Sequence, residues 1–142
     1  MDPLESGLVL KIRQDLWQQI LEDVEYHAPI EACGLLAGKN GEVTKVYPIA
    51  NALASPVRFR MAPDEQLHAF MDIDAQSLDL LAIYHSHPNG PPQPSPTDLD
   101  EFAYPGVLYL ICHCSVSGWS CSCFNISGSH FESARFEFIP GE

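Results

Sequence analysis

Leu78-Asp79-Leu80-Leu81-Ala82-Ile83-Tyr84-His85-Ser86-His87-Pro88-Asn89-Gly90-Pro91-Pro92-Gln93-Pro94-Ser95-Pro96-Thr97-Asp98 changes character halfway along. Leu78 to Tyr84 is a continuous apolar run apart from Asp79, which predicts a buried strand. Pro88, Pro91, Pro92, Pro94 and Pro96 then crowd a short loop. Each proline fixes its own φ and restricts the residue before it, so the loop reads as stiff rather than as a linker. His85 and His87, two apart at the strand end, send their rings to the same face. Two imidazoles presented together suit Zn²⁺, and Asp98, in the first turn of a helix expected from about Pro96 to Phe102, could swing back as a third ligand. Three protein ligands leave a fourth position for water, as in a catalytic site. Plainer readings stand beside this one. A His-x-His at a strand end can simply pack, and Ser95-Pro96-Thr97-Asp98 has the pattern of a capping box with proline at the first helical position.

Working outward, Val9, Leu10 and Ile12 predict a first strand. Leu16, Trp17, Ile20, Leu21 and Val24 recur at steps of three and four, predicting a helix over about residues 14–27 that ends before Pro29. Ala32 to Ala37 reads as a buried strand, Asn40-Gly41 as a hairpin turn, Glu42 to Ile49 as the returning strand, and Val57 to Met61 as another. Pro63 opens a second helix expected to turn Leu67, Phe70 and Met71 inward. Val107 to Cys114, Trp119 to Ile126 and Ser133 to Ile139 complete the strands. The order predicts an α/β (α+β) fold, a mixed β-sheet flanked by helices.

The 142 residues predict one domain over 1–142, and the 46% apolar content suffices for a core. Seven Lys and Arg against 19 Asp and Glu leave a net charge of −12. That balance opposes a nucleic-acid or anionic-membrane partner, since both need a basic face. No apolar run approaches the roughly 20 residues that cross a bilayer, and Met1-Asp2-Pro3-Leu4-Glu5 lacks the basic and apolar regions of a signal peptide. A cytoplasmic location is expected. The sequence leaves the oligomeric state, monomer or homodimer, open.

The string His85-Ser86-His87-Pro88, six residues, Ser95, two residues, Asp98 resembles the motif of the JAMM (MPN+) metalloprotease family. Upstream, Pro29-Ile30-Glu31-Ala32-Cys33-Gly34-Leu35-Leu36-Ala37-Gly38 resembles that family's Glu-bearing segment. The resemblance covers most of the chain and implies a three-layer fold like that of cytidine deaminases. It implies His85, His87 and Asp98 as ligands of one Zn²⁺ and Glu31 as the general base that takes a proton from water and passes it to the leaving amine. Ser95 would donate a hydrogen bond to the oxyanion. The implied activity is a zinc-dependent peptidase or isopeptidase. The compact chain looks most like small prokaryotic members, some of which process ubiquitin-like or sulfur-carrier proteins with a Gly-Gly tail.

Two alternatives remain. A non-catalytic MPN− scaffold usually lacks the ligand set that is complete here. A RadC-like, DNA-repair-associated protein would carry Asn between the histidines, where this chain has Ser86. The deaminases need a Pro-Cys-x-x-Cys pair that is absent. If Ser117-Gly118 is a two-residue turn, Cys114 faces Cys121 and Cys112 faces Cys123. All four would then lie on one side of a hairpin as packed thiols, cross-strand disulfides or a second metal site. Cys33 is expected to turn to the strand face opposite Glu31 and to pack. His27, His68, His113 and His130 read as ordinary residues.

Overall fold

The computed structural model describes residues 9–140, so the reading of Met1 to Glu5 lies outside the described residues. The elements run β1 (Val9–Arg13), α1 (Gln14–His27), β2 (Cys33–Lys39), β3 (Glu42–Ile49), α2 (Pro63–Ala75), β4 (Asp79–His87), α3 (Pro96–Glu101), β5 (Leu108–Ser115), β6 (Gly118–Ser127) and β7 (His130–Ile139). They form one mixed sheet in the order β1-β3-β2-β4-β5-β6-β7, in which β1 pairs parallel with both β3 and β7 and closes the ring. Beside the antiparallel β2, β4 pairs parallel with β5, and this central position buries the strand that ends in the two histidines.

Leu16, Ile20 and Val24 form the buried stripe of α1, so the three-and-four spacing translated directly into a packed face. They pack with Leu36, Tyr84 and Leu110 from one side of the sheet. Leu35, Ile83 and Ile111 face the other side and pack with Ala69 and Ile73 of α2 and Leu99 of α3. The sheet is thus a layer between α1 and the α2/α3 pair. The β2–β3 turn is the expected one, with Asn40 and Gly41 at φ 53° and 78° between the paired Lys39 and Glu42. Gly34 lets the sheet close up, because a Cβ there would lie 2.3 Å from the Tyr84 ring.

Four expectations need correction. Val57 to Met61 is a loop touching the sheet region through a single Asn51–Met61 bridge. The Asn51 side chain takes over the partnership a strand would supply: its Nδ2 donates to the Arg58 carbonyl and its Oδ1 accepts from the Arg60 N–H. On α2 the inward residues are Ala69 and Ile73 with half-buried Phe70, whereas Leu67 and Met71 face solvent. Apolar residues on both faces of that helix made its stripe ambiguous. The β5–β6 hairpin turns at Val116-Ser117, so Cys112 faces Cys121, Cys114 faces Trp119 and Cys123 faces Leu110. Finally, Cys33 lies on the α2 side of the sheet with Leu35 and Ile49, as does its partner His85. Standing two residues after Glu31, it returns to the same side rather than the opposite one. Among the described residues, no helix is long and apolar enough to cross a membrane.

Candidate functional site

Strand alternation sends Ile83, His85 and His87 toward the α2/α3 layer and turns Ser86 the other way. Ser86 then ties the chain preceding β2 to β4: its N–H donates to the Ala32 carbonyl at 3.0 Å and its Oγ accepts from the Ala32 N–H at 2.8 Å. Glu31 is held further by its N–H on the Ser55 carbonyl and its C=O under Asn51 Nδ2, at 2.9 and 3.0 Å. These bonds bring its carboxylate to the histidines, with Oε1 3.9 Å from His85 Nε2.

Across the stiff loop, Ser95 caps α3. Its hydroxyl accepts from the Asp98 N–H at 3.0 Å, and Asp98 Oδ2 accepts from the Ser95 N–H at 2.8 Å. The same Oδ2 lies 3.1 Å from His87 Nε2 and 3.4 Å from His85 Nε2. The capping reading and the site reading of Asp98 are therefore compatible, because the cap aims the carboxylate. The cap uses only the acceptor side of Ser95, leaving the hydroxyl hydrogen free to donate.

The two Nε2 atoms are 2.8 Å apart. Two donors each about 2.0–2.1 Å from a tetrahedral ion would stand roughly 3.3 Å apart, close to the 2.8, 3.1 and 3.4 Å separations of these three atoms. His87 Nδ1 lies 2.8 Å from the Pro91 carbonyl and must donate there, which fixes the tautomer and leaves Nε2 for the site. Glu31, His85 and His87 also form a cluster whose ligand atoms all lie within 4.8 Å of one another. Glu31 Oε1 and His85 Nδ1 are buried without a hydrogen-bond partner. Such orphans are costly in an interior that has nothing to gain from them. The donor set thus suits a divalent metal ion.

The electrostatics follow from burial. Glu31, 3% exposed, has its carboxyl pushed up to about 8 by desolvation, against the pull of a charged His87. Burial lowers His85, with Asp98 opposing. For His87 burial is outweighed by hydrogen bonds to Asp98 and the Pro91 carbonyl, and the net shift is upward. Asp98 is also desolvated, yet hydrogen bonds from both histidines hold it well below the ordinary carboxylate range. A carboxyl raised toward neutral pH beside three converging ligand atoms can both take up and release a proton there.

All five expected site residues fall in one locality. Sequence reasoning missed the frame around them. Phe59 stacks on His85 with centroids 4.6 Å apart, and Tyr109 tilts against its other flank at 5.0 Å. Asn51 links Glu31 to the Phe59 loop. An Asn followed by a turn and aromatic residues was the only available signal, and it is too common to single out. His27, His68 and His130 take no part in these contacts, and His113, although it pairs in register with His87 on the neighbouring strand, turns its ring to Ser120 and Ser122. The cysteines are free, with Cys112 and Cys123 buried and Cys114 exposed. Among the described residues, they form no metal-binding group.

The family model for prokaryotic homologues of the JAB domain matches residues 13–124. A desampylase of Pyrococcus furiosus is 40% identical over 106 residues, covering 75% of each chain. A probable TtuB-protein conjugate cleaving protease of Thermus thermophilus is 42% identical, covering 74% of this chain and 70% of that one. The solution structure of a Desulfitobacterium hafniense protein, 29% identical, superposes with a TM-score of 0.83 over 94% of each chain.

Proposed function

This chain belongs to the prokaryotic JAB-domain family of JAMM-type peptidases, and we propose that it hydrolyses the amide bond after the C-terminal Gly-Gly of ubiquitin-like or sulfur-carrier proteins, in the cytoplasm and with zinc. The observation that carries this reading is the convergence of His85 Nε2, His87 Nε2 and Asp98 Oδ2 within 3.4 Å, with the unpartnered Glu31 Oε1 beside them. His85, His87 and Asp98 would hold the ion. Zinc bound there supplies a water that ionises near neutral pH and a polarised carbonyl.

The chain's own residues do the rest. Glu31 accepts the proton of the attacking water at its carboxylate and returns it to the departing amine. Its raised affinity for a proton suits both halves of that transfer. Ser95 turns its free hydroxyl hydrogen to the carbonyl oxygen as charge builds there, an interaction worth about 3–4 kcal/mol of barrier. The Pro91 carbonyl holds the ring of His87, and the Ser95 N–H holds Asp98, so neither must be reorganised during reaction.

A Gly-Gly tail fits such a site because it lies extended without side chains and can thread a narrow cleft. The names of the Pyrococcus and Thermus relatives point to conjugate cleavage as well. The test is incubation of the zinc-loaded protein with ubiquitin-like carriers from the same genome, each extended past Gly-Gly, followed by intact-mass analysis. Loss of the extension is expected, and Val in place of the penultimate Gly abolishes it. Carriers that all keep their extensions, or equal cleavage of the Val form, would contradict the reading.

A further inference from the structure

A cavity of about 240 Å³ opens beside the histidine pair. Its inner wall includes Asp98 together with Phe59 and Tyr109, the two rings that pack on His85. The cavity therefore reaches one of the three converging ligand residues, Asp98, and lies against the rings that flank a second, His85. Its polar wall carries Arg58 and Arg60 from the loop, Glu101 from the end of α3, and the paired Gln66 and Tyr104.

Two arginines in one cavity run against the character of this chain, which has only 7 Lys and Arg against 19 Asp and Glu. Most cations are already committed. Among the described residues, Arg13, Lys39, Lys45, Arg58 and Arg135 each meet a carboxylate, whereas no ion pair holds Arg60 or, on β1 and outside the cavity, Lys11. Its position is fixed from behind, since its backbone N–H donates to Asn51 Oδ1 at 3.1 Å. Tyr104 adds a second donor, because its oxygen accepts from Gln66 Nε2 at 2.8 Å and its own hydrogen remains to be given. A Gly-Gly segment has no side chain to fill such a volume, which leaves it to a neighbouring group.

We propose that this cavity binds a carboxylate carried next to the scissile bond, with Arg60 as the specificity-determining residue. The proposal rests on the Gly-Gly reading above. A guanidinium presents forked donors that match a carboxylate, and the uncommitted Arg60 is free to offer them. The carboxylate has two sources: an acidic side chain preceding Gly-Gly, or the α-carboxylate of a departing amino acid.

The test is equilibrium binding of synthetic peptides to the zinc-loaded protein. One arm compares peptides ending in Gly-Gly and preceded by Glu or by Gln. The other compares Gly-Gly-Ala with its C-terminal amide, on Glu31→Gln protein so that turnover is slow against the binding measurement. In at least one arm the carboxylate peptide binds about tenfold tighter than its amide partner, the size of one charge-assisted hydrogen bond. The arm that shows it identifies the source. Arg60→Ala removes the preference, Arg60→Lys retains part of it, and Arg60→Glu reverses it. Equal binding of both members in both arms, no binding by either carboxylate peptide, or a preference that survives Arg60→Ala overturns the proposal. A failure to cleave any extended carrier would instead count against the Gly-Gly reading, and the binding series reads independently of it.

Discussion

Two strand regions of this molecule carry metal-seeking side chains at alternate positions, and they behave oppositely. His85 and His87 on β4 end beside Asp98 and Glu31, with ring nitrogens and carboxylate oxygens facing one another within 3.9 Å. Cys112, Cys121 and Cys123 on the β5–β6 hairpin pack with Leu10, Leu110 and Val24 or against that cluster. Burial pushes the Cys121 and Cys123 thiols up to about 12 and raises Cys112 well above its ordinary value. They remain thiols, which are poor ligands. The difference teaches that alternation alone makes no site. What separates the regions is a charged third partner from another chain segment, aimed by a helix cap, and buried polar atoms that only a ligand would satisfy.

The largest effect is expected from His87→Ala or Asp98→Ala. Each removes one of three converging donors, so the purified variants should lose bound metal and all turnover, as read by elemental analysis and carrier cleavage. Full metal content in either would erase the contrast with the cysteines. Glu31→Gln should keep the metal and lower turnover by about 10²–10⁴-fold, because an amide cannot accept the proton. Ser95→Ala should also keep the metal, with a rate loss of about 10²–10³-fold. On the hairpin, Cys112→Ala should cost about 1–2 kcal/mol of stability in denaturant unfolding while metal content and turnover stay at the wild-type level. Metal loss there would make the hairpin part of the site.

The smallest effect lies away from both regions. Asp72 accepts hydrogen bonds from Lys45, Tyr47 and Gln76, which hold its carboxyl down to about 2. A lowered carboxyl stabilises the fold fully above its ordinary range and stops doing so as pH falls through about 2. Asp72→Asn should therefore lower Tm slightly near neutral pH, with the gap closing as the solution is acidified toward pH 2. A gap that widens on acidification would refute the assignment.

Much of this was legible because it is local. The stripe of α1, the Asn40-Gly41 turn and the Ser95–Asp98 cap each depend on neighbours a few residues apart, and each formed as expected. The histidine string also carries its spacing within one segment. What was hidden depends on distant partners. Nothing near Phe59 announces that it will stack on His85, and its loop was misread as a strand because Asn51, rather than a neighbouring strand, satisfies its backbone. The hairpin register slipped because the Ser115 hydroxyl bonds Ser117 N–H and the Gly118 carbonyl, closing the turn at Val116-Ser117 rather than at Ser117-Gly118. Cys33 was misplaced by its distance from Glu31, where a single residue decides the face.

The most direct measurement is anomalous diffraction at the zinc edge from a crystal of the zinc-loaded protein. The account predicts one peak per chain, within about 2.2 Å of His85 Nε2, His87 Nε2 and Asp98 Oδ2. A peak on the β5–β6 cysteines, or none between the histidines and Asp98, would contradict it.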